Sequence, residues 1–317
     1  MKVITAAEIR QSLDWVSTIQ ALEQAFIQDS KMPTRHHHVM ADGPEPPVHL
    51  LMPAWIPNKY LGVKAVNVFP ANAKAGKPAV SGVYLLFSGE TGETLAILEG
   101  GELTVRRTAA ASALAARYLA RKDASKLLIV GTGRLSRQLA FAHAAVRPIK
   151  SVSVWGRNPQ KAEEVAQEIR QGGLQASAVT DLEAAVGNAD IVSCATLSTC
   201  PLVQGVWLRP GTHLDLVGGF TPTMREADDE AVRRSAIFVD TRAGATKEAG
   251  DIVIPLQTSV LSADGIRGDL FDLTRKTRPG RTGDSQITLF KSVGAAIEDL
   301  AAASLVYEKT ANCQTGA

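Results

Sequence analysis

Lys126-Leu-Leu-Ile-Val-Gly-Thr-Gly-Arg-Leu-Ser-Arg-Gln138 is the stretch of sequence that decides the fold. Residues 127–130 form a short apolar run that predicts a buried strand, and the residues after Gly133 predict a helix. Gly131 permits a tight turn between the two, and Gly133 lets the backbone approach a pyrophosphate at the free N–H groups of the helix start. The third small position is Ser136, so the pattern G-x-G-x-x-S alone is equally compatible with an ordinary strand–turn–helix.

Strands and helices alternate after this stretch. Further strands are predicted at residues 151–155, 189–194, 213–217 and 237–240, with a weaker one at 176–179. Such alternation predicts a doubly wound parallel sheet of the Rossmann type. The expected fold class is therefore α/β, and the glycine turn becomes a candidate dinucleotide site.

The N-terminal third of the chain has a different pattern. Thr5-Ala-Ala-Glu8 is a capping box, and a second amphipathic helix follows Asp14 and ends near Ser30. Pro- and Gly-rich turns then separate predicted strands at residues 34–40, 48–53, 61–69, 80–87 and 94–98. We expect a mostly antiparallel sheet here, a long alanine-rich helix at 102–119 and a final helix at 287–309. Residues 250–283 are expected to be a surface excursion.

Composition limits the classes of partner. The chain has 317 residues and a formal net charge of +2, which gives no reason to expect nucleic acid or a membrane surface as a partner. Cys194, Cys200 and Cys313 form no C-x-x-C pair, which favours a reducing compartment. The N-terminus lacks an apolar signal core, and no uncharged apolar run approaches the roughly 18 residues that span a bilayer. We therefore expect a cytoplasmic protein.

The end of the second strand of the parallel sheet, Ser151-Val-Ser-Val-Trp-Gly-Arg-Asn-Pro159, carries no acid. An NAD site usually places an Asp or Glu there to accept the ribose 2′-hydroxyl. Arg157 cannot accept that hydrogen bond, but its guanidinium suits a 2′-phosphate. The sequence therefore favours NADP(H) over NAD(H). The alternative is that Arg157 is a solvated loop residue and that Asn158 and Pro159 only begin the next helix.

Cations also occur in otherwise apolar segments. Lys64 lies within a predicted strand, Arg107 near the start of the alanine-rich helix, and Arg35 in the first strand of the antiparallel sheet. Buried cations need an anion, and three cationic side chains that converge would suit the carboxylate of a ligand. The alternative is that each of them forms a salt bridge at the surface. Of the three histidines at 36–38, only His36 and His38 can share an ion, and no acid or cysteine completes a site. We predict no metal site.

Several of these segments together resemble the ornithine cyclodeaminase/mu-crystallin family over nearly the full length of the chain. The segments are Met32-Pro-Thr-Arg35, Gly62-Val-Lys64, Leu103-Thr-Val-Arg-Arg-Thr-Ala-Ala110, Gly131-Thr-Gly133, Trp155-Gly-Arg157, Val217-Gly-Gly219 and Ile287-Thr-Leu-Phe-Lys-Ser-Val-Gly294. The resemblance implies a homodimer with the substrate between two domains. It implies a substrate-binding and dimerisation domain at 1–115 and 287–317, and a dinucleotide-binding Rossmann domain at 116–286.

The resemblance also implies roles for individual residues. Arg35, Lys64 and Arg107 match the positions that bind the substrate carboxylate in the family, Arg107 because it directly precedes Thr108 as in the Arg-Thr-Ala-Ala pattern. The implied cofactor-binding residues are Thr108, Gly131, Thr132, Gly133, Leu135, Ser136, Arg157, Asn158, Thr196, Val217 and Lys291.

Two positions depart from the family pattern. Phe220 stands where ornithine cyclodeaminases have an aspartate implicated in catalysis on the substrate amine, and Leu135 stands where many relatives have Gln. An apolar ring cannot accept a proton, which argues against ornithine cyclodeamination and against alanine dehydrogenase activity. What remains resembles the ketimine reductases, which reduce Δ1-pyrroline-2-carboxylate and Δ1-piperideine-2-carboxylate to proline and pipecolate. We therefore expect an NADPH-dependent reductase of a small cyclic imino acid, with NADH a weaker cofactor. A non-catalytic NADPH-dependent binding protein of mu-crystallin type is the alternative from another class.

Overall fold

The computed structural model describes residues 1–43 and 46–312, with the backbone alone described for 73–75 and 312. The chain forms two compact units, which are Met1–Arg107 with Ala295–Ala317, and Thr108–Gly294. We call them the N-terminal unit and the central unit. The domain ranges expected from the sequence, 1–115 with 287–317 and 116–286, stay predictions.

Helices and strands occur in both units. The strands are β1 (Lys2–Ile4), β2 (His36–Val39), β3 (Val48–Ile56), β4 (Tyr60–Val68), β5 (Val80–Ser88), β6 (Thr94–Glu99), β7 (Lys126–Val130), β8 (Ser151–Trp155), β9 (Ala176–Val179), β10 (Ile191–Cys194), β11 (His213–Leu216), β12 (Ser235–Val239), β13 (Ile266–Asp269) and β14 (Ile287–Lys291). The helices are α1 (Ala6–Ser12), α2 (Trp15–Ile27), α3 (Gly100–Leu119), α4 (Arg134–Ala144), α5 (Pro159–Gln171), α6 (Leu182–Asn188), α7 (Asp229–Arg234), α8 (Arg242–Glu248), α9 (Gly250–Gln257), α10 (Leu270–Thr274) and α11 (Ala296–Asn312).

The N-terminal unit is built on a six-stranded sheet in the order β1-β6-β5-β4-β3-β2. Its strands pair antiparallel except for β1, which pairs parallel with β6 and was not anticipated from the sequence. Alternate residues point to opposite faces, and α11 packs against β3, β4 and β5 on one of them. The predicted capping box is confirmed, because Thr5 accepts from the Glu8 backbone and Glu8 accepts from the Thr5 backbone.

The central unit contains an eight-stranded sheet in the order β13-β12-β14-β11-β10-β7-β8-β9. Every pairing in it is parallel, so the predicted α/β class with a doubly wound parallel sheet is confirmed. Inner strands of such a sheet are buried because helices cover both of its faces. The whole of β10 and β11 is buried.

Two predictions about the chain were wrong. Ile287–Lys291 is not the start of the final helix but an interior strand, β14, between β11 and β12, and each of its residues is buried. Burial on both faces removes the alternation that would reveal a strand, and α11 begins only after Gly294. Residues 250–283 are not a surface excursion, since α9, β13 and α10 lie within them and Asp251 and Ile252 are buried. No helix among the described residues is long and apolar enough to cross a membrane.

Candidate active site

Two of the predicted carboxylate-binding residues form one buried ionic cluster in the N-terminal unit. Lys64 of β4 is 2% exposed, and its Nζ lies 2.9 Å from Oδ1 and 2.8 Å from Oδ2 of Asp299. Arg107 of α3 donates from Nε to Oδ1 of Asp299 over 2.9 Å and from Nη1 to Oε2 of Glu298 over 2.7 Å. Neither acid is exposed. The two cations are thus held by two adjacent carboxylates.

Helix α11 supplies both acids. Glu298 and Asp299 lie in its first turn, where the partial positive charge of a helix N-terminus favours carboxylates. The contacts of α11 with β3, β4 and β5 bring that turn to the face of the sheet on which Lys64 lies. Neither residue was predicted from the sequence. The available signal was a pair of acids inside the apolar run at 293–303, because adjacent buried acids require buried cations.

The charges of the cluster act on one another. Burial, followed by the charge of Arg107, lowers the pKa of Lys64 to about 8, although Asp299 acts in the opposite direction. Arg35 is half-buried and lies close enough to lower the pKa of Lys64 as well. Burial would lower the pKa of Arg107, but Asp299 and Glu298 outweigh it and hold the pKa above its usual value. The three predicted cations therefore lie in one region of this unit.

The acids leave hydrogen-bond donors of the cluster unused. An ammonium has three N–H donors and a guanidinium has five. Lys64 faces two carboxylate oxygens, and Nη2 of Arg107 makes no hydrogen bond with any described residue. The cluster can therefore bind a further anion without giving up Asp299 or Glu298.

The glycine turn lies at the carboxyl end of β7 in the central unit. Gly131 has φ +129°, and a β-carbon there would lie 2.6 Å from the carbonyl oxygen of Ala195, so only glycine fits. Gly133 precedes α4, faces open space and offers no side-chain cap to the helix. The first turn of α4 carries no acid, Thr132 and Leu135 are half-buried, and the buried hydroxyl of Ser136 has no hydrogen-bond partner among the described residues. This turn fits a pyrophosphate.

A buried carboxylate connects the ends of two neighbouring strands. Glu226 accepts from the backbone and hydroxyl of Thr196 over 2.7 and 2.8 Å, after β10, and from the backbone of Gly218 over 2.8 Å, after β11. Burial raises the pKa of Glu226 to about 7, although Lys291 acts against it. Lys291 is itself fully buried, with Nζ 3.0 Å from Oδ2 of Asp251. Its predicted contact with a cofactor stays a prediction.

The remaining predicted cofactor residues differ in exposure. Arg157 follows β8, is exposed, and makes no ion pair or side-chain hydrogen bond with a described residue. Asn158 caps α5 by accepting from the Lys161 backbone over 3.2 Å, as the alternative interpretation of this loop expected. Val217 is buried directly after β11, and half-buried Phe220 follows it in the same loop. Thr108 of α3 is half-buried and is the first residue of the central unit.

The histidines at 36–38 and two of the three cysteines lie among the described residues. His36 and His38 are exposed on β2 with ring centroids 6.2 Å apart, and the described residues contain no group of three potential metal ligands. Cys194 is buried, which raises the pKa of its thiol, and Cys200 is exposed, as expected for a strand and a loop residue. Cys313 lies outside the described residues.

Comparisons with known proteins identify the family. Residues 1–314 match the model of the ornithine cyclodeaminase/mu-crystallin family. The Δ1-pyrroline-2-carboxylate reductase of Paracoccus denitrificans is 39% identical over 93% of this chain and 92% of its own. The structure of Thermococcus litoralis Δ1-pyrroline-2-carboxylate reductase in complex with NADH and L-proline is 34% identical, with a TM-score of 0.93 over 99% of this chain and 98% of its own. An archaeal alanine dehydrogenase dimer with bound NAD is 28% identical, with a TM-score of 0.92 over 100% and 98%. The chain therefore belongs to the ornithine cyclodeaminase/mu-crystallin family.

Proposed function

We propose that the protein is a nicotinamide-dependent reductase of cyclic imino acids that carry a carboxylate on the C=N carbon. The candidate substrates are Δ1-pyrroline-2-carboxylate and Δ1-piperideine-2-carboxylate, and the products are L-proline and L-pipecolate. The observation that carries the proposal is the buried pair Lys64 and Arg107, held by Asp299 and Glu298 with donors left over. The Paracoccus and Thermococcus relatives, both Δ1-pyrroline-2-carboxylate reductases, support the same substrate class.

In this proposal, Arg35, Lys64 and Arg107 bind the substrate carboxylate. The Nη2 group of Arg107 donates to one oxygen, and the third N–H of Lys64 donates to the other. Asp299 and Glu298 keep both cations in place before the substrate arrives, which reduces the rearrangement that binding requires. Because the iminium form of the substrate is already electrophilic, orientation by its carboxylate is the main task of these side chains.

The glycine turn would hold the cofactor. Backbone N–H groups at the start of α4, after Gly131, Thr132 and Gly133, would bind the pyrophosphate, with the buried Ser136 hydroxyl as a further donor. Thr196 and Val217, at the ends of β10 and β11, would line the same edge of the parallel sheet. When bound, NAD(P)H supplies a hydride to the carbon of the C=N group.

For the cofactor itself, we propose NADPH as the preferred form and NADH as an accepted one. The loop after β8 offers the exposed Arg157 and no acid for a 2′-hydroxyl, while Asn158 is used as a helix cap. The Thermococcus relative contains NADH, which supports a site that tolerates the cofactor without the 2′-phosphate. The affinity difference between the two cofactors therefore depends mainly on Arg157.

Other functions found in this family are alternatives. Phe220 lies in the loop after β11 and argues against ornithine cyclodeamination, because an apolar ring there does not support proton transfer to or from a substrate amine. The similarity to an alanine dehydrogenase makes reductive amination of a 2-oxo acid a first alternative. Membership of the family that includes mu-crystallin makes ligand binding without turnover a second.

One assay separates these possibilities. The purified protein is mixed with NADPH or NADH and either a cyclic imine or pyruvate with ammonia, and absorbance at 340 nm is followed. L-Ornithine with NAD⁺ is tested in parallel by product analysis. We expect cofactor oxidation with the cyclic imines alone. Oxidation that requires ammonia would identify an alanine dehydrogenase, and binding of NADPH without oxidation by any substrate would favour a binding protein.

We also propose a homodimer formed through the N-terminal unit. Outward-facing residues of β3 to β6 form an apolar surface on the face of the sheet away from Lys64. Half-buried or exposed side chains form it, namely Leu51, Pro53, Trp55, Leu61, Val63, Ala65, Val83, Leu85, Phe87 and Ile97. A second copy would remove this surface from water. Sedimentation equilibrium should therefore give a mass near twice 33.6 kDa, and a monomer would contradict the proposal.

A further inference from the structure

Tyr84 is a buried residue of the N-terminal sheet and lies beside Lys64. It lies in β5 directly opposite Lys64 in β4, so both side chains point to the same face. Its hydroxyl lies over Gly62, the neighbouring position of β4 on that face, and a β-carbon at Gly62 would overlap with the phenol. The glycine of the Gly62-Val-Lys64 segment thus makes room for the ring of Tyr84 beside Lys64.

The hydroxyl of Tyr84 has no hydrogen-bond partner among the described residues, although the side chain is 0% exposed. A buried polar group without a partner destabilises the folded state, and phenylalanine would fill the same space without that cost. Burial, together with the negative charge of Asp299, raises the pKa of Tyr84 well above its usual value. The phenol therefore stays protonated and remains a hydrogen-bond donor.

The acceptor that suits this donor is an anion within the cation cluster. Oδ1 of Asp299 accepts from Lys64 and Arg107, and Oδ2 lies 2.8 Å from the Lys64 ammonium, so neither oxygen accepts from Tyr84. The neighbouring acceptor expected in the cluster is the carboxylate that Lys64 and Arg107 are proposed to bind. We propose that Tyr84 donates its hydroxyl hydrogen to an oxygen of the substrate carboxylate and is a fourth carboxylate-binding residue. This inference rests on the proposed function.

Tyr84→Phe tests the inference, because it removes the oxygen and keeps the ring. We expect KM for the cyclic imine to rise about tenfold or more, as for the loss of one hydrogen bond to a charged group, with kcat within about twofold. The inhibition constant of L-proline should rise in parallel. The melting temperature should not fall, because the hydroxyl has no hydrogen-bond partner in the described part of the chain.

Tyr60→Phe is the matched control. Tyr60 lies in β4 of the same sheet, but its hydroxyl donates to Glu308 over 3.0 Å at the other end of α11, so KM should not change. Unchanged KM in Tyr84→Phe, a fall in kcat alone, or a lower melting temperature with unchanged kinetics would each overturn the inference while the wild type remains active. A wild type that neither reduces a cyclic imine nor binds L-proline would overturn the proposed function and this inference with it.

Discussion

Replacing Asp299 with Asn removes the carboxylate that Lys64 and Arg107 share. Both oxygens of Asp299 lie within 2.9 Å of a cationic nitrogen, and neither Asp299 nor its partners are exposed beyond a few per cent. Asparagine keeps the shape, but it carries no charge and turns an N–H₂ group toward one of the cations. Glu298 would remain as the acid that accepts from Arg107.

The expected loss of stability is large. Removing one partner of a buried ion pair costs about 3–5 kcal/mol, because an uncompensated charge is left in the protein interior. The N-terminal unit contains about 130 residues, and for a unit of that size this loss corresponds to a fall in melting temperature of about 10–20 °C. The loss should be smaller at pH 9 than at pH 7, because the pKa of Lys64 is about 8 and its neutral form needs no counter-charge.

Differential scanning calorimetry at both pH values measures this effect, with Asp29→Asn as the control. Asp29 pairs with Lys31 over 2.6 Å, but the two side chains are 77% and 51% exposed, so its loss should cost only about 0–1 kcal/mol. A melting temperature of Asp299→Asn equal to that of Asp29→Asn would refute the conclusion that a buried carboxylate holds the two cations together.

Three further predictions concern the proposed activity. In the wild type, kcat/KM for the cyclic imine should fall as pH rises through about 8, because Lys64, which Arg107, Arg35 and Asp299 surround, then loses its proton. Lys64→Arg should remove that fall from the measured pH profile, and an unchanged profile would assign the fall to another group. Arg157→Ala should raise the dissociation constant of NADPH by about tenfold or more and that of NADH by less than about twofold in fluorescence titrations, whereas an equal effect would rule out the 2′-phosphate contact. Glu226→Gln should weaken NADH binding about tenfold in the same titration, because an amide cannot accept from the backbones of both Thr196 and Gly218. Glu230→Gln, at an exposed ion pair, is the control and should leave NADH binding unchanged. A similar loss of affinity in both variants would show that Glu226 does not support the cofactor site.

The parts of the fold that the sequence predicted correctly are those with a local cause. The run before Gly131, the turn and the start of α4 follow from apolar length, glycine conformation and helix periodicity within thirteen residues. The hairpin between β5 and β6 likewise follows from Gly-rich turn residues between two strands. In each case the interaction that determines the conformation lies close along the chain, so the pattern identifies it.

The errors concern segments whose conformation depends on distant partners. Ile287–Lys291 is a strand because β11 and β12 pair with it on either side, and its own five residues carry no period that distinguishes strand from helix. The segment containing β13 likewise depends on pairing with β12, about thirty residues earlier. Because Ile287–Lys291 was predicted as helix, the start of α11 was misplaced as well. Glu298 and Asp299 were therefore not recognised as residues of a first helical turn.

The same non-local contacts explain why only the cations of the candidate site, and not its acids, could be predicted from the sequence. Lys64 and Asp299 are 235 positions apart, and Arg107 and Asp299 are 192 apart. Three cations in apolar segments could be identified one by one, but nothing near them in the sequence carries the acids that make their burial possible. Those acids lie at the far end of the chain, on a helix that returns to β3, β4 and β5. Because Lys64 and Arg107 can be buried only when that helix is in place, the C-terminal residues complete the site as well as the fold of the N-terminal unit.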